Sequence, residues 1–352
     1  MKNRIIVFGG VHLDILADYT KKDKNRIDRV GELYYSIGGT AYNIAFHLSE
    51  QKKKVSLFSV LNKNSFSTLW ILREIKNTLI KPSFQIDYST YTENGFIAIR
   101  QDGDLERAVT SSSLSRAGLK RDLLEKCCKK KDIAVIDCNF ESNQISMIVE
   151  ICKKHNLFII IAGTSDSKVK RILPVLQNYE IDIITMNKIE AQNFFDIKDI
   201  NELTVDMIPK NMLNLVITLG CKGHIVYSNN NISFFKAPHI SEVISTSGAG
   251  DALSAAIASC VLENNGEIDW NACNNRICEF VGKVITQQGT YLKPTRKRVS
   301  YKVILVWGIT LFVCIGLITY CFLTDHTKLG LYLTIIGLVI AFGQIIRTEI
   351  KE

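Results

Sequence analysis

No secretory leader is expected, and the sequence shows no cysteine and histidine spacing of the kind that binds zinc, no internal repeat and no low-complexity tract. Its opening apolar run covers only Ile5 to Phe8, the length of a buried strand and too short for a signal-peptide core. Ten cysteines are present, but the closest couples, Cys127-Cys128 and Cys273/Cys278, fit no metal pattern. All ten are expected to be reduced thiols of a cytosol-facing protein. A large basic surface is also missing. The net charge is +8, yet Lys293, Arg296, Lys297, Arg298 and Lys302 supply +5 in one acid-free run, and residues 1–292 carry only +3. That distribution gives no case for nucleic acid as a partner. With 47% hydrophobic and 22% charged residues the chain is expected to pack rather than stay disordered, and 352 residues suit one large α/β domain with an appendage.

What is present is a regular alternation. "RIIVFGG" reads as a buried strand ending in two glycines, "TAYNIAFHLSEQ" as a helix, and "VSLFSV" at 55–60 as the next strand. Strand, helix and strand with glycines at the junction imply a parallel unit. The segment 95–109 breaks the rhythm: Asp102-Gly103 between two alternating runs predicts a hairpin, a small antiparallel flap apart from the main sheet; serving as a lid, it should turn one apolar face of Ile97, Ile99 and Val109 toward what it covers, to exclude water. Strands at 133–137, 157–162, 182–186 and 215–220 then alternate with helices at 143–154, 166–177 and 188–195. A hairpin around Asn229-Asn230-Asn231 and helices at 248–263 and near 268–287 follow. The economical solution is a doubly wound sheet with helices on both faces, binding ligands at the carboxyl ends of its strands.

Beyond the alternation, Val303 to Leu323 gives 21 residues without a charge, about 31 Å as a helix, which matches a bilayer core. Five residues later, 18 more run from Leu329 to Ile346 with Gln344 as the one strongly polar member. Two spans so joined make a membrane hairpin, residues 303–346. The basic linker 296–302 before it should hold residues 1–295 and the tail 347–352 on the cytoplasmic side of the cell membrane, with lipid as the partner of the spans.

Four junctions carry candidate chemistry. In Ser245-Thr246-Ser247-Gly248-Ala249-Gly250-Asp251, two glycines bracket an alanine ahead of a helix of small residues, which leaves N–H groups unhindered at a positive helix end. That is an anion cradle, and Asp251 in the first turn could take a proton from a hydroxyl beside it. An ordinary glycine-rich turn is the alternative reading. Gly38-Gly39 opens a helix bearing Asn43, and a hydroxyl-rich ligand would suit it. Asn187 and Glu190 share one helix face, either as oxygen ligands for hydrated Mg²⁺ or as a capping box. Thr218-Leu219-Gly220-Cys221-Lys222-Gly223 ends another strand as a nucleotide-edge loop would, or as a plain turn.

The order of these pieces, GGxxxN at 38–43, NxxE at 187–190, TLGxxG at 218–223 and GAGD at 248–251, resembles the ribokinase or PfkB-type carbohydrate kinase family over residues 3–292. The resemblance implies a three-layer αβα domain with a small β lid drawn from residues near 14–35 and 95–109. It also implies ATP with Mg²⁺ as phosphoryl donor, and a sugar or nucleoside alcohol as acceptor. By it, Asp251 is the base and Gly248, Ala249 and Gly250 the anion hole. Thr218, Gly220 and Gly223 bind ATP, Asn187 and Glu190 organise the metal, and Asp14, Gly39 and Asn43 grip the acceptor. A homodimer is possible. Among members, "VIDCNFES" at 135–142 followed by "IAGTSDSKVKRIL" at 161–173 looks most like pseudouridine kinases, with ribokinase-like and other nucleoside kinases as competitors. No GxxxxGK[ST] segment exists, so a P-loop is excluded as the route to ATP. Ser245 stands where the family usually has Asp, which argues against the monovalent-cation site of some members. A catalytically idle, membrane-tethered sugar-binding sensor is the competing class, and the intact GAGD favours the enzyme.

Overall fold

Runs such as Ile5–Phe8 and Ile133–Asp137 are buried at every position, so they can only be strands covered on both faces. The computed structural model describes residues 4–19, 30–88, 93–101 and 104–286. All belong to the first of the two units into which the chain divides, Met1–Lys293. The expected linker, membrane hairpin and tail lie outside the described residues, as do Asp102 and Gly103. Among the described residues no helix is long and apolar enough to cross a membrane.

In chain order the first nine strands are β1 (Ile5–Phe8), β2 (His12–Tyr19), β3 (Gly31–Gly38), β4 (Val55–Phe58), β5 (Val60–Asn62), β6 (Lys81–Pro82), β7 (Gln85–Asp87), β8 (Gly95–Gln101) and β9 (Asp104–Ser111). They are followed by β10 (Ile133–Asp137), β11 (Phe158–Ala162), β12 (Ile183–Asn187), β13 (Asn214–Thr218), β14 (Gly223–Ser228) and β15 (Asn231–Lys236). The helices are α1 (Thr40–Glu50), α2 (Phe66–Ile75), α3 (Arg121–Cys127), α4 (Ser142–Lys154), α5 (Asp166–Val169), α6 (Leu173–Leu176), α7 (Lys188–Phe195), α8 (Ala249–Glu263) and α9 (Trp270–Ile285).

The main sheet has nine strands in the order β15-β14-β13-β12-β11-β10-β1-β4-β6. From β13 to β6 every pairing is parallel, and the β14–β15 hairpin adds an antiparallel edge. Alternate residues feed opposite cores: Ile6, Phe8, Ala134 and Ile136 pack with α4 and α7, whereas Ile5, Val7, Ile133 and Val135 pack with α1, α8 and α9. This is the expected three-layer arrangement. The strand order reverses between β1 and β10, and sheets of this kind bind ligands beyond the carboxyl ends of their strands.

The expected strand 55–60 is divided. β4 joins the main sheet, but β5 pairs with β7 in a two-stranded sheet, because the Ser59 carbonyl turns to accept the Gln85 N–H at 2.9 Å. The expected lid is a four-stranded sheet, β3-β2-β8-β9, and it is mixed, since β2 and β8 run parallel. Its face needs a correction. Ile97 lies opposite Val109 and Ile99 follows two residues on, so the three do share a side. Asp14, however, is registered with Phe96. Alternation therefore puts Asp14, His12 and Phe96 on one face and Ile97, Ile99 and Val109 on the other. Those three are 48%, 40% and 69% exposed, and Ile99 with Ala17 and Leu33 lines a separate hollow of about 590 Å³ on that side, away from Asp14.

Candidate active site

Three strand ends and three helix starts converge on one crevice. α1 begins at Gly39, whose φ of 105° lies in the region that favours glycine, and a Cβ there would sit 2.4 Å from the Gly10 carbonyl oxygen. Nearly all of α1 is buried, so its position is fixed by packing. Its Asn43 donates from Nδ2 to Asp251 Oδ2 at 2.7 Å. α8 starts beside it with Gly248 as an N-cap that brings no side-chain bond; the Ala249 N–H turns back to the Thr246 carbonyl at 3.3 Å, and the rest of the first turn faces the space where an anion would sit. A Cβ placed on Gly250 would meet nothing within 4 Å, so the space above that turn is open.

A cavity of about 220 Å³ is lined by Gly248, Gly250 and Asp251 from the start of α8, Asn187 and Glu190 from the start of α7, and Thr218 from the end of β13. Thr40, Gly163, Thr164 and Thr185 complete its polar wall. Six of the sequence-predicted residues thus meet in one cavity, and Asn43 joins them through Asp251. Gly220 and Gly223 flank a single 3-10 turn just beyond Thr218 and are not in the cavity wall, nor is Ala249. Asp14 lies off to the lid side, where its carboxylate faces Gly38 and meets His12 Nδ1 at 2.5 Å.

Asp251 is only half-buried by surface area because it lines the cavity. Its carboxyl is nevertheless surrounded by enough protein that burial pushes its pKa up to about 7. The Asn43 bond opposes the rise, and the carboxylates of Asp137 and Glu190 add to it. A carboxyl so poised suits proton transfer near neutral pH.

Asn187 and Glu190 form the capping box that the sequence left open: Glu190 N–H donates to Asn187 Oδ1 and Asn187 N–H to Glu190 Oε2, both at 2.9 Å. The cap and the cavity role are compatible, since both residues also face the cavity. Burial raises the Glu190 pKa, and the Asn187 N–H opposes it. Among the described residues no three His, Cys, Asp or Glu side chains cluster as a metal cage. A magnesium ion held through water and nucleotide phosphates needs fewer ligands, and the buried Thr164 hydroxyl, which has no hydrogen-bond partner, adds an oxygen to the same wall.

Sequence reasoning assigned no role to Thr40, Thr164 and Thr185, although Thr40 lies inside the GGxxxN stretch, Thr164 inside the 161–173 segment and Thr185 two residues before Asn187. Thr185 Oγ1 lies 2.9 Å from Ser254 Oγ and so fastens β12 to α8. It also assigned no role to Asp137, a carboxylate closing an otherwise apolar buried strand, which was the signal available. The two segments that suggested a pseudouridine kinase do meet: Lys168 Nζ donates to Asn139 Oδ1 at 2.7 Å, and Arg171 Nη1 donates to the carbonyls of Cys138, Asn139 and Phe140 at 3.0–3.2 Å. The eight cysteines among the described residues are free thiols.

The pfkB family of carbohydrate kinases matches residues 2–292. The pseudouridine kinase of Escherichia coli K12 is 22% identical over 268 residues, covering 74% of this chain and 84% of that one. A carbohydrate kinase from Agrobacterium tumefaciens superposes with a TM-score of 0.67 at 16% identity, over 86% of this chain and 96% of that one. Phosphofructokinase-2 from Escherichia coli, solved with potassium, gives a TM-score of 0.68 at 14% identity, over 83% and 95%. These two likenesses speak for the fold.

Proposed function

Because the chain belongs to the pfkB family of carbohydrate kinases, we propose that it uses ATP to phosphorylate a nucleoside hydroxyl, with pseudouridine as the favoured acceptor. The observation that carries this reading is Asp251, a carboxyl with a pKa near 7 at the mouth of an open helix N-terminus, held by Asn43 at 2.7 Å. Asp251 removes the proton from the acceptor hydroxyl, and Asn43 keeps its carboxylate turned to that task. The first-turn N–H groups at Gly248, Ala249 and Gly250 hold the charge of the transferring phosphoryl group. Thr218, Gly220 and Gly223 border the nucleotide, and Asp14 with Gly39 faces the acceptor from the lid side. Asn187, Glu190 and Thr164 are the residues that would hold magnesium bound with the nucleotide, which would supply charge neutralisation there.

Pseudouridine is favoured over ribose or adenosine by the identity with the Escherichia coli enzyme and by the paired Asn139 and Lys168. A panel of pseudouridine, uridine, ribose, fructose and adenosine, read as acceptor-dependent ATP consumption, tests this. Pseudouridine should give the highest kcat/KM, and a preference for ribose would overturn the assignment. Residues 303–346 anchor the kinase as a two-span hairpin with its catalytic body and C-terminus in the cytoplasm, a reading supported by the 21 uncharged residues from Val303 to Leu323. A reporter fused after Glu352 should report a cytoplasmic end, and deletion of residues 303–352 should release soluble, active kinase. A homodimer is supported by the exposed apolar side of the lid, where Leu33 and Tyr35 accompany Ile97, Ile99 and Val109.

A further inference from the structure

The proposed chemistry gives no part to one buried carboxylate, and that group stands where the sheet reverses direction. Asp137 ends β10 beside β1 and is fully buried. Its Oδ2 accepts the Gly10 N–H at 2.8 Å, the Ala41 N–H at 3.2 Å and Asn139 Nδ2 at 2.9 Å, while Oδ1 accepts the Asn139 N–H at 2.9 Å. Burial raises its pKa, and the Gly10 and Asn139 donors with the Lys168 ammonium work against the rise.

Two of the donors come from segments far away in the chain. Ala41 lies in the first turn of α1, where the N-cap is Gly39 and no side chain caps the helix. A capping side chain cannot be placed there, because the Cβ of any residue at 39 would collide with the Gly10 carbonyl. The carboxylate from β10 takes over the task of an N-cap. Gly10 closes the knot, since its carbonyl accepts the Tyr42 N–H at 3.3 Å. Gly9 makes room for it: a Cβ at that position would lie 2.1 Å from the Asp137 carboxyl carbon. Asn43 sits two residues past Ala41 on the same turn, and its amide reaches Asp251.

We propose that Asp137 is a positioning residue for phosphoryl transfer: it ties the turn after β1 and the first turn of α1 to one point of the sheet, and so aims Asn43 at Asp251. The proposal rests on Asp251 being the base. A carboxylate buried only for stability would be a poor choice, because apolar side chains of similar volume fill a core at least as well. Four donors converging on a negative charge make sense where an exact helix placement is needed and the helix cannot cap itself.

The test is a double-mutant cycle in the full-length chain with MgATP and pseudouridine. Asp137→Asn keeps the shape but weakens acceptance of the Gly10 and Ala41 donors. It should lower kcat on the order of 30-fold while the KM for ATP moves less than about twofold, as expected when a reacting group is displaced by a fraction of an ångström. Asn43→Ala should lower kcat by a similar factor, and the double variant should lose less than about threefold more than the worse single one, because both act through one contact. Full multiplication of the two losses would overturn the proposal. So would a wild-type kcat for Asp137→Asn. If Asp137→Asn does not fold, amide exchange in the wild-type chain decides. The Ala41 N–H, which has no acceptor within its own helix, should be protected like amides one turn deeper, and exchange at the rate of a frayed end sinks the idea. Asp251→Asn is the control: if it retained turnover, the assignment of the base would have failed, and only with that variant inactive does additivity count against Asp137.

Discussion

The nine-stranded sheet and the four-stranded lid are both β structure, yet they follow opposite burial rules. In β1, Ile5, Ile6, Val7 and Phe8 are all inaccessible, because helices cover both faces. In β8, Ala98 is buried between the exposed Ile97 and Ile99. A strand buried on both sides can be placed from its apolar run alone, and no choice of face is left to make. A strand with unequal sides is also legible as a strand, but the choice between its faces is made by register with its neighbours, which a single strand does not contain. That is why the 95–109 hairpin was legible as strands, while the side on which Ile97, Ile99 and Val109 stand relative to Asp14 came only from the register. The same contrast separates the candidate sites: Asp251, proposed as the base, stands in the first turn of α8, which packs on the main sheet, whereas Asp14 is presented by the four-stranded sheet.

The comparison is broken most severely at the sheet edge. Asp251→Asn is close to isosteric and removes the base, so turnover should fall on the order of 10³-fold or more while the ATP affinity stays near wild type. A variant that still turned over would dissolve the claim that the chemistry belongs to the sheet rather than to the lid. Gly9→Ala attacks the support beneath it. The new Cβ would fall against the Asp137 carboxyl, and urea unfolding should show a loss of about 3 kcal/mol. An unchanged midpoint would mean that the crevice yields, contrary to the rigidity assigned to it.

Smaller effects sharpen the contrast. With the Asp251 pKa near 7, kcat/KM should drop about tenfold per pH unit below that value, since only the ionised carboxylate accepts a proton. A flat profile between pH 5 and 8 would remove Asp251 from the rate expression. On the lid, Phe96→Ala should raise the acceptor KM several-fold, because Phe96 shares a face with Asp14. Val109→Ser, on the outer face, should alter self-association without moving that KM. Equal effects would place the acceptor on the wrong side of the register described above. The smallest change is thermal. The folded pKa of Asp251 lies above its unfolded value, so the folded state holds the extra proton between about pH 4 and 7 and its stability declines as pH rises through that window. Asp251→Asn cannot ionise, so its Tm at pH 8 should exceed wild type by at least about 2 °C, with the gain vanishing near pH 4.

The sequence by itself determined the αβα architecture, the first strand and helix, the strands and helices from residue 133 on, and the four candidate junctions, but it did not mark α2, α3, β6 or β7, and it showed no strand pattern where β2 and β3 lie. Each feature it determined is local physics: apolar periodicity, helix starts, and backbone that only glycine allows. The candidate site was legible to the same depth. Asp251, Asn187, Glu190 and Thr218 announced themselves by standing at strand and helix ends, and their meeting in one cavity followed from the parallel order of β10 to β13. Only the tertiary structure decided what joins segments remote in the chain. Asn43 reaches Asp251 across 208 positions, and Asp137 holds Ala41 across 96 and Gly10 across 127. Such pairings leave no periodicity behind, because they depend on which strand ends become neighbours when the sheet closes, and that is settled by packing of the whole core.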